Sequence, residues 1–237
     1  MSWKLLCNKT FQGKECPSHL VSIAQTILER CKGLPLAIVA ISGVLVRKKQ
    51  GNADEWDKVN RNLGNMLQEN KLQNMSSVLL LSYYDLPFYL QSCLLYMGMF
   101  PEDYEIAGHR LRGLWIAEGF VEQKDGMTKY EVAEDYLMEL KARSLIQADV
   151  VAKAWGEVCR IHDLLRELLL SKSKDHKFAT IVNEKNTRWH ERIRRLSIHN
   201  TLGTIHDKKK ILRVRSLLAF GARNFSIKSF GSSLRLL

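Results

Sequence analysis

No run in the 237-residue chain approaches the roughly 20 consecutive apolar residues of a membrane-spanning helix. Residues 1–10 hold Trp3, Leu5 and Leu6 but no apolar core of signal-peptide length. A cytoplasmic location is therefore expected. Cysteine is sparse: Cys7, Cys16, Cys31, Cys93 and Cys159 are odd in number and never fall in a Cys-x-x-Cys pair. That pattern argues against a zinc site and a disulfide framework, and leaves buried free thiols as the ordinary reading. His19, His109, His176, His190, His199 and His206 show no metal-binding spacing such as His-Glu-x-x-His. No metal is expected. With 46% hydrophobic and 26% charged residues, the composition is that of an ordinary globular chain.

What the chain does have is a localised charge. The net +11 sits entirely on positions 185–237, where 13 Lys/Arg face only Glu191 and Asp207. Everything before Lys185 is neutral overall. A neutral body and a basic end segment are physically different objects.

Along the chain, Leu20, Ile23, Ala24, Ile27 and Leu28 recur at helical spacing over 18–30. Gly33 offers a stop and Pro35 suits the first turn of a second helix, 35–48, where its missing N–H costs nothing. That helix is apolar on most sides and should be buried. Arg47, Lys48 and Lys49 near its end suit the helix dipole. Further helices are expected over 54–69, 75–84, 87–97 and 109–118, with Gly119 ending the last. Thr128-Lys129-Tyr130-Glu131 reads as a capping box. Two short β-rich segments, 145–151 and 157–161, flank Gly156 as a hairpin, and Asp163 is a good N-cap for a final helix. Helices followed by a two-stranded wing point to a winged-helix domain. Phe100-Pro101-Glu102-Asp103-Tyr104 reads as a turn with solvated carboxylates and a packed Tyr104, not as a paired-carboxylate catalytic site. After a polar stretch, 183–190, the pattern Ile193-x-x-Leu196 returns as Val214-x-x-Leu217 and again as Leu234-x-x-Leu237. The spacing, about 20 residues, falls in the range of leucine-rich repeats.

The order of these blocks resembles the plant intracellular disease-resistance receptors, the coiled-coil, nucleotide-binding, leucine-rich-repeat family. Gly33-Leu34-Pro35-Leu36-Ala37 matches its GLPLA motif in full. Residues 93–104, CLLYMGMFPEDY, are similar to its CFLYCSIFPEDY segment, and Leu114-Trp115-Ile116-Ala117-Glu118-Gly119-Phe120 to another block. Ile161-His162-Asp163 stands where the family carries Met-His-Asp, a departure at Ile161. Ser2-Trp3-Lys4-Leu5-Leu6 resembles the segment closing its nucleotide-binding core.

The resemblance implies a mainly α fold. Residues 1–74 are expected to end the nucleotide-binding core and form a helical subdomain. Residues 75–182 are the expected winged-helix domain, and 183–237 a linker with the first leucine-rich repeats. It implies an ADP/ATP-gated switch, not an enzyme, in a receptor for plant defence. Gly33, Leu34, Pro35 and Leu36 would lie against the adenine and His162 would meet the β-phosphate, with Ile161 and Asp163 steadying the closed state. On physics alone, Pro35 is a helix-start proline, Asp163 a cap and His162 an exposed loop residue. The phosphate loop is not in this sequence: no Gly-x-x-x-x-Gly-Lys-Ser/Thr occurs, and Gly13-Lys14-Glu15 lacks the loop glycine and the hydroxyl. No apolar strand ending in paired aspartates is present either. ADP or ATP would thus be shared with an N-terminal half and held weakly or not at all by this chain alone. The implied partners are that core and the remaining repeats within one receptor, a pathogen effector or guarded host protein reached through the full-length protein, and further copies on activation.

One rival class remains, a winged-helix DNA-binding regulator whose basic tail, with Lys208, Lys209, Lys210, Arg213 and Arg215, tracks phosphates. Residues 129–143 argue against it. Glu131, Glu134, Asp135 and Glu139 outweigh Lys129, Lys141 and Arg143, a poor charge for a groove-reading helix. Nucleic acid is not expected as a partner, and a salt-dependent duplex-binding assay separates the two readings.

Overall fold

The computed structural model describes residues 1–48, 52–69, 74–151, 156–183, 193–199, 214–221 and 235–236. The described chain divides into two compact units, Met1–Gln91 with Asp135–Ala148, and Ser92–Glu134 with Asp149–Leu237. These divisions fall elsewhere than the expected cuts at 74 and 182.

The first unit is helical. Helix α1 (Ser2–Phe11), α2 (Val21–Arg30), α3 (Pro35–Leu45), α4 (Ala53–Glu69) and α5 (Asn74–Tyr84) follow in order, and α2 is preceded by a single 3-10 turn, Ser18–Leu20. The apolar run of α3 is buried almost all round, as its sequence requires: Ala37, Ile38, Ala40, Ile41, Val44 and Leu45 are each 1% exposed or less. It packs against α1 and α5, while α4 packs against α2 and α5. Trp56 of α4 stacks on Phe11 with ring centroids 5.7 Å apart. α3 ends at Leu45, short of the expected 48, because residues 46–48 form a turn. Arg47 and Lys48 find carboxylates from that turn, Arg47 pairing with Glu139 and Lys48 with Asp85 at 2.7 Å. Lys49 lies outside the described residues.

Helix α6 (Phe88–Met97) runs from the first unit into the second. The second unit continues with β1 (Ile106–Ala107), α7 (Gly108–Glu118), α8 (Lys129–Ala142), β2 (Gln147–Val151), β3 (Gly156–Arg160) and α9 (Asp163–Asp175). α8 contributes residues to both units. Gly119 closes α7 in the left-handed region, φ 79, as expected. The capping box at Thr128 forms: the Glu131 carboxylate accepts from the Thr128 N–H at 2.7 Å and the Thr128 hydroxyl accepts from the Glu131 N–H at 3.2 Å. The expected hairpin is present with one strand more, since β3 lies between β1 and β2 and Ile106 stands opposite Cys159. Tyr96, Phe100, Leu111, Trp115, Leu165 and Leu169 are buried in this unit. The Trp115 indole N–H donates to the Cys93 carbonyl at 3.2 Å. In the turn after α6, Glu102 and Asp103 are exposed and Tyr104 packs on Phe100, 5.6 Å between ring centres.

A second sheet of four parallel strands completes this unit: β4 (Thr180–Val182), β5 (Arg195–His199), β6 (Ser216–Phe220) and β7 (Arg235–Leu236), in that order. Val182, Ile193, Leu196, Ile198, Val214 and Leu217 form its buried cluster. The register places Leu196 opposite Leu217, the pairing that the sequence repeat implies. Leu217 in turn stands opposite Leu236, one position earlier than the Leu237 that the repeat would align with it. Leu234 and Leu237 lie outside the described residues. β5 is anchored through the Met99 carbonyl, which accepts from the Ser197 hydroxyl at 2.7 Å and lies 2.9 Å from His199 Nε2. With the hydroxyl proton already committed to that carbonyl, the His199 contact requires its proton on Nε2.

Gly43 of α3 is needed for close packing. A Cβ there would land on the backbone of Arg143 at its Cα and carbonyl carbon and oxygen, which has no flexible end to yield. Gly113 of α7 faces open space. Gly43→Ala should lower stability by about 1–3 kcal/mol through overpacking. Gly113→Ala should instead raise it by about 0.5–1 kcal/mol, as a helix-interior glycine does. Urea unfolding midpoints of the two variants should move in opposite directions.

Candidate functional site

The two groups of residues singled out by sequence are each brought together locally, one in each compact unit. In the first, α2 unwinds through two consecutive left-handed residues, Lys32 (φ 49) and Gly33 (φ 71). The turn closes with the Leu34 N–H donating to the Cys31 carbonyl at 3.0 Å. Leu34 is then extended (φ −73, ψ 116) and its carbonyl accepts the first helical bond of α3, from Ile38 at 3.1 Å. Pro35 follows as the first helical residue, and no side chain caps the helix. The turn therefore presents apolar groups to solvent: Gly33, Leu34 and Pro35 are exposed, Leu34 by 37%, and Leu36 is half-buried. A pyrrolidine ring without an N–H, beside an exposed leucine, is a surface suited to a flat apolar face and offers no donor of its own.

In the second unit, Ile161, His162 and Asp163 lead from β3 into α9. Here the expectation for Asp163 is corrected. The N-cap is His162, extended at φ −70 and ψ 142, whose Nδ1 accepts from the Leu164 N–H at 3.3 Å. Asp163 is already helical and sits in the first turn, where its carboxylate complements the positive end of the helix dipole. The cap must be the last residue with extended backbone, and here that residue is the one before the aspartate. Nδ1 is thereby an acceptor, and a neutral His162 ring carries its proton on Nε2. The ring is exposed. An N–H donor beside the unpaired amides of a helix start is a chemically reasonable anion contact. Behind it, Arg166 donates from Nε to the Phe100 carbonyl at 2.9 Å and lies in the field of Asp163. Ile161 is half-buried.

Sequence reasoning missed two ion-pair systems. In the first unit, Arg143 is 6% exposed. It donates to Asp85 at 2.8 Å and to Glu139 at 3.1 and 3.2 Å. Burial alone would raise the Glu139 carboxyl, but Arg47 and Arg143 outweigh it and hold it below its ordinary value. In the second unit, Arg195 donates from Nε to Glu118 at 2.7 Å and lies over both Phe120 and Phe178, 5.0 and 4.4 Å from their ring centres, which are 6.0 Å from each other. No spacing rule links Asp85 to Arg143 or Glu118 to Arg195, since tertiary structure alone pairs them. Among the described residues no three His, Cys, Asp or Glu gather as metal ligands, and no helix is long and apolar enough to cross a membrane.

Residues 99–169 match the family model described as disease resistance protein winged helix domain. That segment holds β1, α7, α8 and the β2–β3 wing, and extends into α9 as far as Leu169. The chain is 34% identical over its whole length to disease resistance protein RPP13 of Arabidopsis thaliana, covering 28% of that protein. It is 35% identical to disease resistance RPP8-like protein 3 of the same plant, over 94% of this chain and 26% of the relative. Disease resistance protein RGA5 of Oryza sativa subsp. japonica is 34% identical over 94% of this chain and 21% of its own length. The chain belongs to the plant disease resistance proteins. It spans about a quarter of the length of the curated relatives it matches.

Within this family's winged-helix domain, His162 holds a definite structural post. His162→Ala should lower stability by about 1 kcal/mol through loss of the cap, whereas His162→Asn, which keeps an acceptor, should cost only a few tenths. Urea unfolding of the 237-residue chain measures both; an alanine variant as stable as the parent would show that the cap contributes nothing.

Proposed function

We propose that this chain is the nucleotide-responsive switch segment of a plant immune receptor. It would meet the base of ADP or ATP with Gly33, Leu34, Pro35 and Leu36 and the phosphate with His162. The observation that carries the reading is the His162 cap, which commits Nδ1 to the backbone and leaves Nε2–H, in an exposed ring at a helix start, to face an anion. The exposed Leu34–Pro35 turn supports the other contact, because its side chains are apolar and carry no hydrogen-bond donor. The residues thus fit the parts of a nucleotide assigned to them by the family resemblance, but the sequence holds no phosphate loop. Tight binding would rest on the longer receptor. The segment itself would act as a sensor, without a reaction of its own.

A ligand shifts such an equilibrium only by its differential affinity for the two arrangements, typically about 1–3 kcal/mol. ADP would favour the resting state, and exchange for ATP would release it. Asp163 would help hold the resting state by complementing the α9 dipole and the Arg166 charge. The parallel strands β5, β6 and β7, with Leu196, Leu217 and Leu236 standing opposite one another in turn, support a reading as the start of a leucine-rich-repeat solenoid. The remainder of such an array would meet an effector or a guarded host protein. A duplex-binding role has less support: Arg143, just past the end of α8, is buried in ion pairs and unavailable to phosphates, and Arg112 is paired to Glu134 of α8. Of the basic tail cluster, Lys208, Lys209, Lys210 and Arg213 lie outside the described residues.

Asp163→Val in the full-length receptor should produce defence signalling without any effector. Expression in leaf tissue, scored by cell death and by bound nucleotide, checks it. A variant that stays silent and retains ADP like the parent overturns the switch reading.

A further inference from the structure

The ordinary expectation for all five cysteines is a buried free thiol, and Cys31, Cys93 and Cys159 meet it. Cys7 and Cys16 are free but only half-buried, and both lie in the first unit. The chain between them doubles back. α1 stops at Phe11 because Gln12 is left-handed (φ 56, ψ 40), and Gly13 continues the reversal at φ 82. The Lys14 N–H closes the turn on the Phe11 carbonyl at 3.0 Å. Gly13 comes to rest beside the last turn of α1, where a Cβ on it would meet the Asn8 side-chain oxygen at 3.9 Å. The segment that follows therefore returns alongside α1.

That return brings the two thiols together. The Cys16 backbone N–H lies against the Cys7 sulfur and donates to it. Pro17 holds Cys16 away from helical backbone, and the Cys16 thiol donates to the Pro17 carbonyl at 3.7 Å. A sulfur in contact with a neighbour's amide is one side-chain rotation from that neighbour's own sulfur, because the amide nitrogen and Sγ flank the same Cα–Cβ bond. Burial raises both thiols above their ordinary value; the Cys16 amide opposes the rise at Cys7, and the Cys7 sulfur adds to it at Cys16. Thiols held in the protonated form exchange slowly. Their disulfide, once formed, resists reduction, because the reduced state gains nothing from a stabilised thiolate.

We propose that Cys7 and Cys16 form a reversible modification site, oxidised to an intramolecular disulfide by a small-molecule disulfide of the glutathione class. The Cys7 thiolate attacks one sulfur of glutathione disulfide, which forms a mixed disulfide and expels one glutathione thiolate. The Cys16 thiolate then attacks the Cys7 sulfur and expels the second. Two electrons pass from the protein to glutathione, and the two thiol protons leave with the two glutathione thiols. The bond pins the segment entering α2 to α1 within the first unit. It is independent of the nucleotide contacts at Pro35 and His162.

Equilibration of the 237-residue chain in buffers of reduced and oxidised glutathione, followed by acid quenching, alkylation and peptide mass spectrometry, tests the proposal. The folded chain should yield a Cys7–Cys16 linked peptide within one copy, reversed by dithiothreitol, while Cys31, Cys93 and Cys159 remain thiols. The same chain unfolded in urea separates held geometry from mere nearness in sequence. The folded form should keep the linked peptide at a reduced-glutathione concentration about tenfold higher than the unfolded form does. Cys7→Ser and Cys16→Ser, both at half-buried positions, should each stop at a single glutathione adduct on the remaining thiol. Only mixed disulfides on the folded chain, bonds that join two copies, or equal resistance to glutathione in urea would overturn the assignment.

Discussion

Each compact unit ties a guanidinium into tertiary partners, a buried one at Arg143 and a half-buried one at Arg195, and these ties constrain much of what surrounds them. A charge taken out of water must be neutralised by well-placed partners, because leaving it alone costs several kcal/mol. In the first unit Arg143 meets this demand with Asp85 and Glu139, and these carboxylates also engage Lys48 and Arg47. The close approach at Gly43 belongs to the same arrangement, since only a residue without Cβ admits the Arg143 backbone. In the second unit Arg195 uses Glu118 and two aromatic rings. Hydrophobic burial supplies most of the stability in both units, but it is indifferent to direction. The ion pairs fix which helix face meets which strand or turn.

Function in this family member would use the ends of helices and leave their packed faces undisturbed. The start of α3 presents an apolar turn and the start of α9 an imidazole, and both sit at positions where backbone amides lack intrahelical partners. The two differ in character. At α3 the proline removes one donor and the exposed turn carries apolar side chains, so its side-chain surface is bland. At α9 the histidine caps with one nitrogen and keeps the other. A contact to a base and a contact to a phosphate make those opposite demands.

Much of this was legible in the sequence where local chemistry decides local structure. Gly119 ends α7, the Thr128–Glu131 box opens α8, and the all-apolar run after Pro35 is buried, each for a reason contained within a single turn or helix. The misses share the opposite property. β1 is only Ile106–Ala107 and exists because β3, much later in the chain, pairs with it. β4 likewise depends on β5. The cap of α9 went to His162 because helical backbone begins at Asp163, and side-chain preference alone favoured the aspartate. Arg143 and Arg195 look in the sequence like any other basic residue. Their partners are 58 and 77 positions away in the cases of Asp85 and Glu118, so nothing local marks them. Of the candidate site, each half was readable as a motif through family resemblance, while the His162 tautomer on which its proposed role rests required the geometry.

The central claim is that His162 serves the nucleotide with Nε2 while serving the helix with Nδ1, and these roles can be separated. Asparagine keeps the cap acceptor but lacks a donor that reaches as far. The most direct measurement is the ADP dissociation rate of the full-length receptor carrying His162→Asn, determined beside the unfolding midpoint. The account predicts a midpoint lowered by no more than the few tenths of a kcal/mol that the asparagine cap costs, and ADP release faster by about tenfold, the effect of losing one charge-assisted hydrogen bond. Release at the parental rate from an equally stable protein would contradict it.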